Sequence, residues 1–429
     1  MRRRVVITGV GCVTPLGVEV DEFSCRLTQG QSGVGPISLF DASRFPVRIA
    51  AEVRNWDMSD VGEDQTRWQR HARQTQFAVA AALKAARSAG LQDAHVDPQR
   101  VGVITGCGEI FPEFSQFCQL TSTAVVGEQF QIGRFVDEAN HVYQHMTDED
   151  LILEPGAAAA CIAGLFDAQG PNSNFTAACV SCSKAIGEST EIIRRGDADI
   201  MLAGGAHSMI HPFGVTGFHR LSTLSTRNDE PEKAARPFDR ERDGFVIGEG
   251  GVMLVLEELD LARRRGAEIW AEVAGWGVTH DAYRITDLDP TGRSAVNVIA
   301  RALDDARMNP EDIDYINAHG SGTAINDKTE TLAVKKAFGD LAYRVPISST
   351  KSMTGHLTTA CGAIESLACL IAIRDGVAPP TINYGNADPE CDLDYVPNTA
   401  REISCNRAMS NTFGFGGQNV VLVLSRFDG

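Results

Sequence analysis

The chain has 429 residues, 43% hydrophobic, 22% charged and 7% aromatic, which is ample for a sizeable core in two or three domains. Its 39 Lys+Arg against 56 Asp+Glu give a net charge of −17, a field that repels nucleic acid and anionic membranes, so any acidic partner must dock on a local basic patch. No apolar run approaches the ~20 residues of a membrane helix, and eleven cysteines, mostly in apolar stretches as at Cys12, Cys107, Cys161 and Cys369, read as reduced thiols of a cytoplasmic protein.

Arg2-Arg3-Arg4 followed by an apolar run imitates a signal peptide, but the run is glycine-broken and enters Thr14-Pro15-Leu16-Gly17 without a cleavage pattern. A buried strand is expected there, over residues 5–10. Gly9-Val10-Gly11 begins like a dinucleotide turn, yet it lacks the third glycine and soon meets Pro15. Arg67, Arg70 and Arg73 recur every third residue beside His71, which predicts a basic helix face. A helix over 74–88 follows, then a strand over 101–105. The stretch 109–154 is less regular and carries Asp148-Glu149-Asp150, as a surface or interface excursion would. Within it His141 and His145, with Asp148 and Asp150, have a metal-like spacing but no adjacent general-base Glu, so a solvated helix face is expected. Beyond come a helix over 183–195, strands over 200–204 and 252–257, a strand over 269–273, a helix over 294–306, a strand over 315–318, a helix over 364–374 and a strand over 420–424. Gly90, Gly196 and Gly376 stop three of the helices. This alternation predicts an α/β protein with buried sheets. Its natural division falls near residue 258, giving two tightly packed halves, 1–258 and 259–429.

Chemistry concentrates in four segments. In 170–187 a short strand and small residues lead into Cys179 and then a helix, an elbow whose terminal amides and dipole favour thiolate and can bind an oxyanion. Alone, it is equally a buried packing cysteine. Ile316-Asn317-Ala318-His319-Gly320-Ser321-Gly322-Thr323, followed by Asn326, Asp327 and Glu330, puts a histidine beside glycine after a strand. Ser349-Thr350-Lys351-Ser352-Met353-Thr354-Gly355-His356, followed by Gly362 and Glu365, repeats that pattern. The glycine-rich turn 410–419 bares backbone N–H groups, suited either to an oxyanion hole or to a tight structural turn. Cys182 forms a C-x-x-C with Cys179, but there is no second pair for zinc; it reads as a packing residue, with a redox switch as the alternative.

With these four motifs in order, the sequence resembles the elongating β-ketoacyl-acyl-carrier-protein synthases, condensing enzymes of thiolase fold, along essentially its whole length. It is most similar to synthase II of fatty-acid synthesis and to α ketosynthase subunits of type II polyketide pathways. The resemblance implies a layered αβαβα architecture, Cys179 as acylated nucleophile, His319 and His356 as the decarboxylation pair, and Lys351 with Glu365 as the buried pair that orders the site. It further implies an oxyanion hole from the amides of Cys179 and Phe415, pantetheine contacts at Ser321 and Thr323, and an acyl pocket touching Glu109, Phe218 and Phe415. Carrier docking falls on Arg67, Arg70 and Arg73, and a structural monovalent cation on Asn317, Glu365, Ser410 and Asn411. Substrates ride on the carrier's phosphopantetheine with no further cofactor, and the partner subunit is a second copy or a chain-length factor. A non-catalytic chain-length factor usually lacks the nucleophile that Cys179 supplies, and a thiolase places a second cysteine where this chain reads Gly414-Phe415-Gly416-Gly417. Thr176-Ala177-Ala178 and Ser321-Gly322-Thr323 lean towards a polyketide or specialised fatty-acid pathway rather than housekeeping synthesis. Glu109 stands where fatty-acid enzymes carry an apolar gate; it either faces water or meets a donor on a partner subunit or a polar chain.

Overall fold

The computed structural model describes residues 2–93, 96–143 and 154–429. Among them, ten strands form one mixed sheet. In chain order these are β1 (Val5–Val13), β2 (Val101–Thr105), β3 (Asn172–Asn174), β4 (Ile200–Ser208), β5 (Glu249–Glu258), β6 (Ala271–His280), β7 (Tyr315–Asn317), β8 (Ile347–Ser348), β9 (Arg407–Gly414) and β10 (Gln418–Ser425). Their spatial order is β8-β7-β9-β10-β6-β1-β5-β4-β2-β3. Outward from the centre, β1-β5-β4-β2-β3 and β6-β10-β9-β7-β8 repeat one topology, including which neighbours run antiparallel and which parallel. The two five-stranded units meet through β1 and β6 over only two registered pairs, Val6 with Glu272 and Ile7 with Ala271.

Each unit is covered by helices on its outer face and contributes one helix to a shared middle layer. Helix α1 (Arg73–Ser88) covers the outer face of β1, β4 and β5, and α3 (Arg293–Ala306) and α4 (Ala324–Phe338) cover the other unit. Between the two five-stranded units lie α2 (Ser181–Arg195) and α5 (Cys361–Asp375). Helix α5 is buried from Cys361 to Ile373, as expected of a helix apolar all round. The two middle helices cross so closely that a Cβ on Gly362 would lie 1.9 Å from Ser183 Oγ. Three apolar clusters fill the spaces, one around α2 and α5, one under α1 and one under α3 and α4. The layering is therefore αβαβα.

Several strands outrun their sequence limits. Gly204 and Gly205 look like a strand end, yet β4 continues through them in register with β5 as far as Ser208. On β6, Gly275 and Gly277 let α3 approach; a Cβ on Gly275 would meet the Ala306 nitrogen at 2.4 Å. The excursion forms two helices, Phe114–Ala124 and Ile132–Tyr143, around a small strand pair. It exposes Val125, Val126, Phe130, Ile132 and Val136. His145, Asp148, Glu149 and Asp150 lie outside the described residues. Among the described residues no helix is long and apolar enough to cross a membrane. All eleven cysteines are free; Cys182 packs at the start of α2 and its thiol reaches the Gly106 carbonyl at 3.2 Å.

Candidate active site

Cys179 sits on the turn entering α2, 8% exposed. Ala178 before it adopts φ +48°, the left-handed region that non-glycine residues rarely occupy. Ser181 holds this turn by accepting the Ala177 N–H at 2.8 Å and donating to the Ala178 carbonyl at 2.7 Å. The helix terminus favours thiolate, and burial opposes it. Burial pushes the Cys179 thiol up to about 11, and Lys351 with the amides of Phe415 and Cys179 opposes this only in part. Desolvation of the anion outweighs the helix terminus, so the resting group is a neutral thiol.

Cys179 Sγ lies 3.5 Å from His356 Nε2. The sulfur and one nitrogen from each of His319 and His356 fall within 4.8 Å of one another, though the three residues lie on separate loops. Hydrogen bonds fix both tautomers. The Thr358 N–H donates to His356 Nδ1 at 2.9 Å, so the ring proton sits on Nε2. Lys351 Nζ lies 3.3 Å from His319 Nδ1 and donates to the His319 carbonyl at 2.6 Å, so His319 too carries its proton on Nε2. Cys361 Sγ adds a 3.3 Å contact to His356 Nδ1. Both rings are held well below the ordinary histidine range by burial first and by the Lys351 charge second. The trio could also ligate a metal, but a buried ammonium behind His319 opposes a divalent cation there.

Lys351 forms an ion pair with Glu365, both buried. Burial alone would favour loss of the lysine proton; the adjacent carboxylate prevails and raises it above the usual lysine range. Glu330, quoted in the sequence without a role, accepts the N–H groups of His319 at 2.9 Å and Gly320 at 2.7 Å, so it shapes the histidine loop. Its signal was legible: Asp327 and Glu330, three apart on the first turns of α4, share a face. His207 gave no such signal, because only folding brings it to the site, whereas Thr358 and Cys361 follow His356 closely in the chain.

One cavity of about 460 Å³ contains Cys179, His319 and His356. Ser321, Thr323, Phe218, Phe415 and Glu109 all line it. Ser321 and Thr323 hydroxyls lie 2.9 Å apart. Phe218 packs edge-on against Phe245, whose ring lies 4.7 Å from that of His356. Glu109 is exposed in the single chain and faces the cavity rather than the core. The expected cation ligands divide. Asn317 Oδ1, Ser410 Oγ and Asn411 Oδ1 are buried with no hydrogen-bond partner among the described residues, an oxygen set that suits a hard monovalent cation. Glu365 is instead engaged by Lys351 and by the Thr412 hydroxyl, and the carboxylate bonded to Asn411, at 3.2 Å, is that of Glu330.

The basic helix face is corrected. A single turn, Gln65–Trp68, ends before α1 begins at Arg73, so the three arginines share no helix. Arg67 and Arg70 are exposed. Arg73 makes a two-pronged ion pair with fully buried Glu249, at 2.5 and 3.0 Å, and bonds the Val53 carbonyl; it anchors α1 to the sheet.

Two family models match the chain. The beta-ketoacyl synthase N-terminal domain matches residues 2–262 and the C-terminal domain residues 270–385. The chain is 44% identical to 3-oxoacyl-[acyl-carrier-protein] synthase 2 of Coxiella burnetii, covering 99% of each chain. It is 41% identical to the tetracenomycin polyketide synthase ketoacyl synthase alpha subunit of Streptomyces glaucescens, covering 99% of this chain and 97% of that one. A solved type II polyketide ketosynthase, in complex with its acyl-carrier protein and bound to a hexaketide, superposes with a TM-score of 0.84 at 34% identity over the whole of both chains. Matched by sequence from end to end and by fold throughout, the chain belongs to the beta-ketoacyl synthase family of condensing enzymes.

Proposed function

We propose that the chain is a ketosynthase that joins an acyl group held on Cys179 to a malonyl unit delivered by an acyl carrier protein, in a polyketide or specialised fatty-acid pathway. The supporting observation is the convergence of one thiol with two Nε2–H donors, each fixed by a group behind the ring. The Cys179 thiol displaces the carrier thiol from an acyl thioester, its proton passing to the departing sulfur. The malonyl thioester then enters with its carbonyl between His319 and His356. Loss of CO₂ places negative charge on that oxygen, and two neutral N–H donors stabilise it without prior reorganisation. The enolate carbon attacks the Cys179 thioester, whose oxyanion the amides of Cys179 and Phe415 receive; collapse expels the Cys179 sulfur as thiolate, which takes up a proton from solvent, and leaves the β-ketoacyl chain on the carrier. Ser321 and Thr323 hold the pantetheine arm, and Asn317, Ser410, Asn411 and Glu330 would hold a cation that stiffens the strand ends. The carrier supplies the substrates, and the subunit partner is a second copy or a chain-length factor, for which the exposed apolar excursion offers surface. The two repeated units, joined after residue 258, act as the two halves of one catalytic body. A paired assay tests this reading: malonyl-carrier decarboxylation, and blocking of Cys179 by a cerulenin-type thiol reagent. No decarboxylation, or condensation surviving the block, would overturn it.

The histidine environment sets the pH dependence. Neutral rings are required, and both are held well below 6.5, so protonation occurs only as pH falls through the lowered values. Decarboxylation is expected to stay flat across the ordinary histidine range. A loss centred at 6.5 would mean that the rings titrate as if exposed.

Carrier docking has its own expected result. Reversing Arg67 and Arg70 to Glu should raise the apparent KM for carrier-bound substrate about tenfold, less at high salt, and leave small thioester mimics within roughly twofold. Equal losses with both substrates would make the pair structural. Arg73→Glu, by contrast, would lower stability through Glu249.

A further inference from the structure

The segment 236–244 has no part in the chemistry proposed above, yet it grips the loop that carries Ser321 and Thr323. Gly322, between those two residues, adopts φ +81°, and both of its backbone polar groups are taken. Its N–H donates to Asp327 Oδ1 at 3.1 Å, and its carbonyl accepts the Gly244 N–H at 3.1 Å. The next two carbonyls, those of Thr323 and Ala324, each accept from the Arg242 guanidinium at 3.3 Å. One side chain thus holds two successive peptides, which suits the rigid planar fork of arginine and not the point charge of lysine.

The guanidinium is itself fixed. Arg242 has a side chain 5% exposed, lies 3.6 Å from fully buried Asp327 and 2.6 Å from Asp388, and donates to the Asp239 carbonyl at 2.8 Å. Asp327 also accepts the Phe238 N–H at 2.7 Å. Phe238 adopts φ +63°, an outlier for so bulky a residue. Its ring stacks on that of Tyr395 at 3.9 Å and abuts the histidine loop, where a Cβ on Gly320 would lie 2.9 Å from it. Backbone strain of this kind persists only where the surroundings over-determine it. The loop backbone is therefore pinned to Arg242, Gly244 and Asp327, while the Ser321 and Thr323 hydroxyls, 2.9 Å apart, belong to residues that line the catalytic cavity.

We propose that Arg242 is a positioning residue for the pantetheine arm: by holding the Thr323 and Ala324 carbonyls it sets the Ser321 and Thr323 hydroxyls where the arm passes. It thereby governs apparent affinity for substrates that carry an arm and takes no part in the reaction at Cys179. This rests on the reading above that Ser321 and Thr323 hold the arm. A hydroxyl displaced by a shifted loop forfeits its hydrogen bond to the arm, and the loss falls on binding rather than on chemistry.

The test compares two acyl donors, butyryl-pantetheine and S-ethyl thiobutyrate, which carries the same acyl group and no arm. Intact-protein mass spectrometry follows acylation of Cys179 over a range of donor concentrations. Arg242→Lys keeps the charge facing Asp327 and Asp388, so the variant should fold, which a denaturant melt checks, but it cannot hold both carbonyls. Its KM for butyryl-pantetheine should rise about tenfold with the saturating rate within about twofold, and S-ethyl thiobutyrate should react as before. Removing both hydroxyls, in Ser321→Ala/Thr323→Val, should also raise the KM for butyryl-pantetheine. Adding Arg242→Lys to that double variant should then raise it less than about twofold further, because both changes act on the same contacts. Equal losses with both donors, an unchanged KM in Arg242→Lys, or a further tenfold rise in the triple variant each overturn the positioning role and leave the pantetheine reading intact. An unchanged KM in Ser321→Ala/Thr323→Val would instead count against the pantetheine reading, and the role of Arg242 would fall with it.

Discussion

Cys179→Ala is expected to reduce condensation to background, a loss of at least about 10⁴-fold, because no covalent acyl-enzyme can form. Decarboxylation of malonyl-carrier protein should continue in the same variant. The reason lies in how the donors are held. His319 is fixed by Lys351 behind its ring and by Glu330 on its backbone, and His356 by the Thr358 N–H. None of these supports passes through the sulfur. His319→Ala or His356→Ala should show the reverse pattern: an acyl group still loads on Cys179, while decarboxylation falls by about 10²–10³ as one donor is lost. Radiolabelled CO₂ release and mass spectrometry of the acyl-enzyme measure the two steps separately. Condensation in Cys179→Ala at the unmodified rate would remove the nucleophile from its assigned place.

The four motifs were legible because each is local. A strand, a glycine and a reactive side chain stand together in sequence at Cys179, His319 and His356, and topology then brings their loops to one end of the repeated units. The alternation of strands and helices was legible for the same reason. What the sequence concealed depends on distant contacts. Arg73 has the spacing of a docking cation, yet its partner Glu249 lies 176 residues away and is fully buried. The helix terminus at Cys179 pointed to a thiolate, but the degree of burial decides the protonation state, and burial is set by residues from both units. The resemblance gave Glu365 both to Lys351 and to a cation, and in the fold Lys351 and the Thr412 hydroxyl engage it. Strand ends were misread at Gly204 and Gly205 because glycine marks a turn locally, whereas here it permits close sheet contacts; a Cβ on Gly205 would lie 2.5 Å from the Gly106 carbonyl oxygen.

The Lys351–Glu365 pair separates stability from catalysis. Lys351→Met keeps the side-chain bulk but leaves Glu365, 1% exposed, without its counter-charge. Breaking one member of such a pair costs about 3–5 kcal/mol, which denaturant melts would read as an earlier transition. The same substitution removes the donor at His319 Nδ1 and the bond to the His319 carbonyl. The imidazole is then free to carry its proton on Nδ1, which turns a lone pair instead of an N–H towards the substrate, and decarboxylation should fall by about 10²–10³. Adding Glu365→Gln removes the stranded charge. The double variant should recover most of the lost stability, since a neutral amide tolerates burial better than an unpaired carboxylate. It should recover none of the decarboxylation, because nothing restores the donor behind His319. A double variant that regained both would show that Lys351 acts on the fold alone, and a single Lys351→Met variant with unmodified decarboxylation would show that the tautomer of His319 is held by something else.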